Sequence, residues 1–172
     1  MLGEKINQQV AQASRTLFEQ DRVLQTLCVK KKAVALQLGD EWFYFTTDVA
    51  GAESFNTALW IQLGEICVKG LQAWLIETQS HLDQRFFADE KLLDNVLLQT
   101  ELSDVAGEIM ILARLLSRPE FDQAALLNFL KQGAEAAIML GKLRGGRAAF
   151  QGDLFEFAHF MRLLAAVMES RV

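Results

Sequence analysis

The chain of 172 residues is 51% hydrophobic and 23% charged, the proportions of a folded protein with one sizeable core, which excludes disorder along its whole length. A net charge of -5 and a pI near 5.1 oppose a phosphate backbone, so nucleic acid is not an expected partner, and the one basic run, Lys30 to Lys32, reads as a solvated strand or turn edge. No apolar run approaches the ~20 residues of a membrane span, and "MLGEKINQQV" has neither the hydrophobic core nor the cleavage site of a signal peptide, so a cytoplasmic protein is expected.

A single proline, Pro119, goes with long helices. Ile6, Val10, Ala13, Leu17, Leu24 and Cys28 recur at helical spacing and predict an N-terminal helix over residues 1–30. The period then changes to two. Val34, Leu36 and Leu38, the Gly39-Asp40 turn pair and "EWFYFTT" predict a β-hairpin over 33–47. The run Trp42, Phe43, Tyr44 and Phe45 puts aromatic residues on both faces of one strand, which a small chain has little mass to cover, so at least a dimer is expected.

Four further helices are predicted. Phe55, Leu59, Leu63, Ile66, Gly70, Trp74 and Leu75 form a stripe over about Ser54 to Arg85. Leu92, Val96, Gln99, Leu102, Val105, Ile109, Leu112 and Leu116 form the next, closed by Ser117-Arg118-Pro119, with Pro119 suited to the start of a helix over Glu120 to Leu143. The last covers Leu154 to Glu169, where Leu154, Phe157, Ala158, Met161, Ala165 and Met168 share a face. Short connections place sequential helices antiparallel. The expected fold is therefore mainly α: one domain, 1–172, in which residues 54–170 form an antiparallel four-helix bundle, with the extra N-terminal helix and one β-hairpin.

The search for catalytic constellations excludes more than it finds. Glu156 and His159 give one E-x-x-H spacing, but a di-iron bundle needs two such pairs, and His81 is the only other histidine, so no metal is expected. Cys28 and Cys67 have no C-x-x-C spacing and read as core residues. No G-x-S-x-G elbow positions a serine, and "RGGR" is neither a dinucleotide fingerprint nor a P-loop. In "KLRGGRAAFQGD", Gly145 or Gly146 supplies the left-handed residue that stops a helix, and Lys142 and Arg144 sit at that helix's negative end. An anion could still approach Gly146 and Arg147.

A longer pattern runs through the C-terminal two thirds. Arg85 with Phe87, then Gln99, Leu102 and Asp104, then Ala113 and Arg114, and finally Gly145, Gly146, Ala148 and Phe150 follow one another in an order that resembles the C-terminal helical domain of the acyl-CoA dehydrogenases. In that family a helix ends in an arginine and a Phe-Gly turn, the next carries Gln-x-x-Leu-x-Asp and then Ala-Arg, and a later one ends in Gln-x-x-Gly-Gly-x-Gly. There are departures. Lys142 replaces the glutamine, one residue is extra after Arg85, and one is missing before Gln99.

The resemblance implies FAD as cofactor, held by Arg85, Gly145, Gly146 and Arg147, with Glu169 in register with the family's catalytic glutamate although Ser170 replaces the usual glycine. It implies oxidation of an acyl-CoA, a carboxylate removing a proton and flavin accepting a hydride from adjacent carbons. The N-terminal and middle domains of the family have at most the first helix and the hairpin as counterparts. FAD would then not be retained by this chain alone, and the partner would be a second copy or a larger dehydrogenase-like chain. The alternative is a non-catalytic helical interaction protein that keeps the bundle without flavin.

Overall fold

In a computed structural model of the chain, residues 8–10, 12, 33–38, 41–46, 57–145 and 154–169 are described, the side chains of 33–46, Leu59 and Val167 excepted. The backbone is helical at 8–10 and at 12, and the rest of the predicted first helix, with Cys28, lies outside the described residues. Strands β1 (Ala33–Leu38) and β2 (Glu41–Thr46) pair antiparallel from Ala33↔Thr46 to Leu38↔Glu41, the two-residue connection that Gly39-Asp40 predicts. Strand β1 lies against the last helix.

The rest is mainly helical. Helix α1 spans Thr57–Asp83, α2 Val96–Leu116, α3 Gln123–Arg144 and α4 Leu154–Glu169. One continuous apolar core unites Trp60, Leu63, Cys67, Leu71 and Trp74 of α1 with Val105, Ile109 and Leu112 of α2, Phe129, Leu130 and Leu140 of α3, and Phe157, Phe160 and Met161 of α4. The indole of Trp74 meets the edge of Phe157 with ring centroids 5.1 Å apart and planes at 61°. Two glycines let helices approach closely, Gly64 of α1 facing Leu116 and Gly133 of α3 facing Met161.

Contacts fix the directions. Leu82 near the end of α1, Leu102 near the start of α2 and Leu143 near the end of α3 share a second apolar cluster, so α2 runs opposite to both α1 and α3. Lys131 pairs with Glu169, and Arg162 with Glu135 at 2.6 Å, so α4 runs back along α3.

The predicted boundary between the first two of these helices changes most. In the connection expected between Arg85 and Leu92, Phe86–Phe87 (β3) and Glu90–Lys91 (β4) make a miniature hairpin, and a 3-10 turn at Leu92–Asp94 stands where the next helix was expected to start. Its turn uses Ala88 in the left-handed region, φ 55°. Asn95 then caps α2, its side-chain oxygen accepting from the backbone N–H groups of Leu97 and Leu98 at 2.9 and 3.4 Å. Val96 and Gln99, expected on the buried stripe, are exposed, and Leu98 between them packs on the cluster of Leu82, Leu102 and Leu143 instead. Asp122, rather than Pro119, starts α3: its carboxylate accepts from Ala125 N at 2.8 Å. Replacing Asn95 by alanine is expected to cost about 1 kcal/mol in urea unfolding, because two donors at the start of α2 lose their acceptor.

Candidate functional site

The residues singled out by the dehydrogenase resemblance do not all meet. Arg85 follows α1 directly. Its backbone N–H donates to Leu82 O at 3.2 Å, its carbonyl accepts from Leu92 N at 2.8 Å, and its side chain is exposed. Gly145 caps α3 with φ 67°, its N–H donating to the carbonyls of Gly141 and Lys142, which is the left-handed stop expected of it. Because Leu82 and Leu143 pack together, the ends of α1 and α3 lie at one end of the helical array, and Arg85 and Gly145 are both there. Gly146 and Arg147 lie outside the described residues.

Glu169 is elsewhere. It closes α4, whose 16 residues at a rise of about 1.5 Å each carry it roughly 22 Å from Leu154. It is exposed and ion-paired with Lys131 in the first half of α3. A general base for proton abstraction is placed within reach of its substrate and shielded from water. Glu169 is open to water, and it does not share an end of the array with Arg85 and Gly145.

The other motif residues have local duties. Gln99 donates its side-chain N–H to Leu93 O at 3.0 Å and ties the 3-10 turn to α2. Asp104 and Arg114 are exposed. His159 is exposed on α4, and among the described residues no group of three or more His, Cys, Asp or Glu could hold a metal ion.

The same end of the array holds a pair that sequence reasoning missed. Arg144, expected at the negative end of the helix dipole, has a side chain only 7% exposed, and its Nη2 lies 3.2 Å from Glu77 Oε1 of α1. The partners are 67 residues apart, beyond any local spacing rule. Beside them, Lys91 donates to Asp83 at 2.8 Å, and that carboxylate raises the Lys91 ammonium above its usual range.

Cys67 is fully enclosed, and burial pushes its thiol up to about 12, so it has no nucleophilic role near neutral pH. Alkylation at pH 8 is expected to leave Cys67 unmodified in the folded protein and to label it in denaturant, read by mass spectrometry of its peptide. The folded value lies above the unfolded one, so this contribution to stability is complete below pH ~9 and lost as pH rises towards about 12.

Among the described residues, no helix is long and apolar enough to cross a membrane. No known protein family, curated protein or solved structure matches the chain.

Proposed function

We propose that the protein is a non-catalytic helical interaction protein, whose four long helices form an up-down bundle that presents an apolar surface to a protein partner. The observation that carries this reading is the distribution of exposed side chains. Phe86, Phe87, Val96 and Leu97 are 62 to 79% exposed within one short segment between α1 and α2. Isolated surface apolar residues need no explanation, but two adjacent pairs of large ones within twelve residues are exposure of the kind that marks a contact surface. The position and ion pairing of Glu169 weigh in the same direction.

In native extract the protein is expected to run well above its 19.3 kDa monomer mass, and Phe87→Asp to bring it down towards that mass. A wild-type chain that runs as a monomer in extract would contradict the role.

A second reading keeps the flavin. It is favoured by the meeting of the ends of α1 and α3, which puts Arg85 and Gly145 at one end of the array. In that reading the chain is a reduced acyl-CoA dehydrogenase-like subunit, with Arg85, Gly145, Gly146 and Arg147 contributing to an FAD site shared with a second copy or a larger chain. Calorimetric titration with FAD then shows binding, and Arg147→Ala weakens it by about 1.5–3 kcal/mol, the scale of one charged hydrogen bond. The cytoplasm suits both readings.

A further inference from the structure

Helix α2 buries Val105, Ile109, Leu112 and Leu116 against α1 and α3, and its opposite side is open. At about 100° of rotation per residue, Gly107 stands at the middle of that open side, and Asp104, Met110, Ile111 and Arg114 lie within about 60° of it. Met110 and Ile111 are 57% and 51% exposed. The hydroxyls of Thr100 and Ser103, on the same side, donate to the carbonyls of Val96 and Gln99 in the helix itself at 2.9 and 2.8 Å, so they need no outside partner when covered.

Glycine weakens a helix interior, and Gly64 and Gly133 offset this by letting Leu116 and Met161 come close to their backbones. Gly107 has no such neighbour. Nothing lies within 4 Å of the place its Cβ would take, so its hollow is unfilled within one chain.

The hollow, the apolar side chain beside it and the two charges share one centre. Ile111 comes four residues after Gly107 and Arg114 ten after Asp104, and Ile109 is the midpoint of both pairs. A two-fold axis crossing α2 at the level of Ile109 therefore sets Ile111 of each copy over Gly107 of the other, and Asp104 of each copy opposite Arg114 of the other. A parallel pairing would set acid on acid and base on base. Asp104 and Arg114 are exposed and make no ion pair among the described residues, while Glu101 and Glu108 lie on the flank, about 100° or more from Gly107. We propose that α2 pairs antiparallel with α2 of a second copy about this axis. A second copy is the occupant because a single axis satisfies both the packing and the charges, and the surface is separate from the Phe86–Leu97 exposure that carries the interaction role.

The contact is short. From Thr100 to Arg114 the helix rises about 20 Å, too little for the roughly 800 Å² per partner of a standard stable interface, so the dimer is weak and depends on concentration.

Sedimentation equilibrium of the purified full-length chain tests this. The wild type is expected to move from 19.3 kDa towards twice that mass over concentrations from about 10 to 500 µM. Gly107→Leu fills the hollow and is expected to weaken association at least tenfold while the helical circular dichroism holds or rises, because leucine favours a helix and the new side chain starts in open space. Asp104→Arg alone and Arg114→Asp alone are each expected to weaken association tenfold or more, and the two together in one chain to restore the dimer, since every acid again faces a base. A wild type that stays monomeric throughout, a dimer unmoved by Gly107→Leu, or a charge exchange that does not restore it would each overturn the α2 surface. Phe87→Asp is expected to leave this dimer in place. Its loss in that variant would overturn the α2 surface and assign self-association to the miniature hairpin, whereas a monomeric pure chain that is heavy in extract leaves the interaction role standing without it.

Discussion

Replacing Trp74 by alanine is expected to destabilise the protein by about 3–5 kcal/mol, the largest effect of any single substitution considered. Trp74 is fully buried where α1 meets α4, its ring edge-on to Phe157, and its carbonyl accepts the hydroxyl of the buried Thr78 at 2.7 Å. Truncation to alanine removes more apolar volume than the surrounding helices can refill, so the cavity term adds to the lost transfer energy. Trp74→Phe keeps an aromatic ring against Phe157 and is expected to cost well under half as much. Urea unfolding followed by far-UV circular dichroism checks both, with Ile76→Ala as control. Ile76 lies two residues away on the same helix but is 66% exposed, and its loss is expected to shift stability by no more than ~0.5 kcal/mol.

Replacing Glu77 by alanine is expected to cost about 2–3 kcal/mol, far more than the loss of either ion pair between α3 and α4. Lys131–Glu169 and Arg162–Glu135 are half exposed on both sides, and such pairs contribute ~0–1 kcal/mol because water and salt screen them. Glu77–Arg144 differs in that the guanidinium is 7% exposed while Glu77 is 39% exposed. Taking one carboxylate from a buried pair costs about 3–5 kcal/mol, and the half-open side of Glu77 lowers the figure here. Glu77→Gln keeps a hydrogen-bond acceptor at the same place and is expected to recover part of the loss. The comparison of Glu77→Ala with Glu135→Ala in matched urea titrations checks the ranking, and equal losses would show that burial of Arg144 has no energetic consequence.

Much of the fold was legible wherever a helix has a single apolar arc. The predicted limits of α4, Leu154 to Glu169, match the structure, and every residue placed on its inner face is buried, because α4 packs mainly on α3 and its pattern is clean. Helix α1 was read less well. It touches both α2 and α3, so its buried arc is wide and takes in Trp60, Leu71 and Thr78, which a narrow stripe leaves out. Strands β3 and β4 were invisible, since two residues carry no alternation, and the helical period of Leu92 and Val96 ran across the 3-10 turn at Leu92–Asp94 by coincidence.

The site was less legible than the fold for a physical reason. Gly145 was found because a helix stop is a local event with a local signature. Arg144 and Glu169 look alike in sequence as charges at helix ends, yet one is buried against Glu77 and the other exposed beside Lys131, and each partner comes from another helix. Val96 was misjudged in the opposite sense. Large apolar residues are assigned to a core by default, and only the packing reveals which of them the core leaves uncovered.

Amide hydrogen exchange, followed by peptide mass with and without added FAD, tests the central claim most directly. The account predicts no protection by FAD across the segment from Lys142 to Gly145. Protection of that segment by FAD would contradict it and establish the flavin reading in its place.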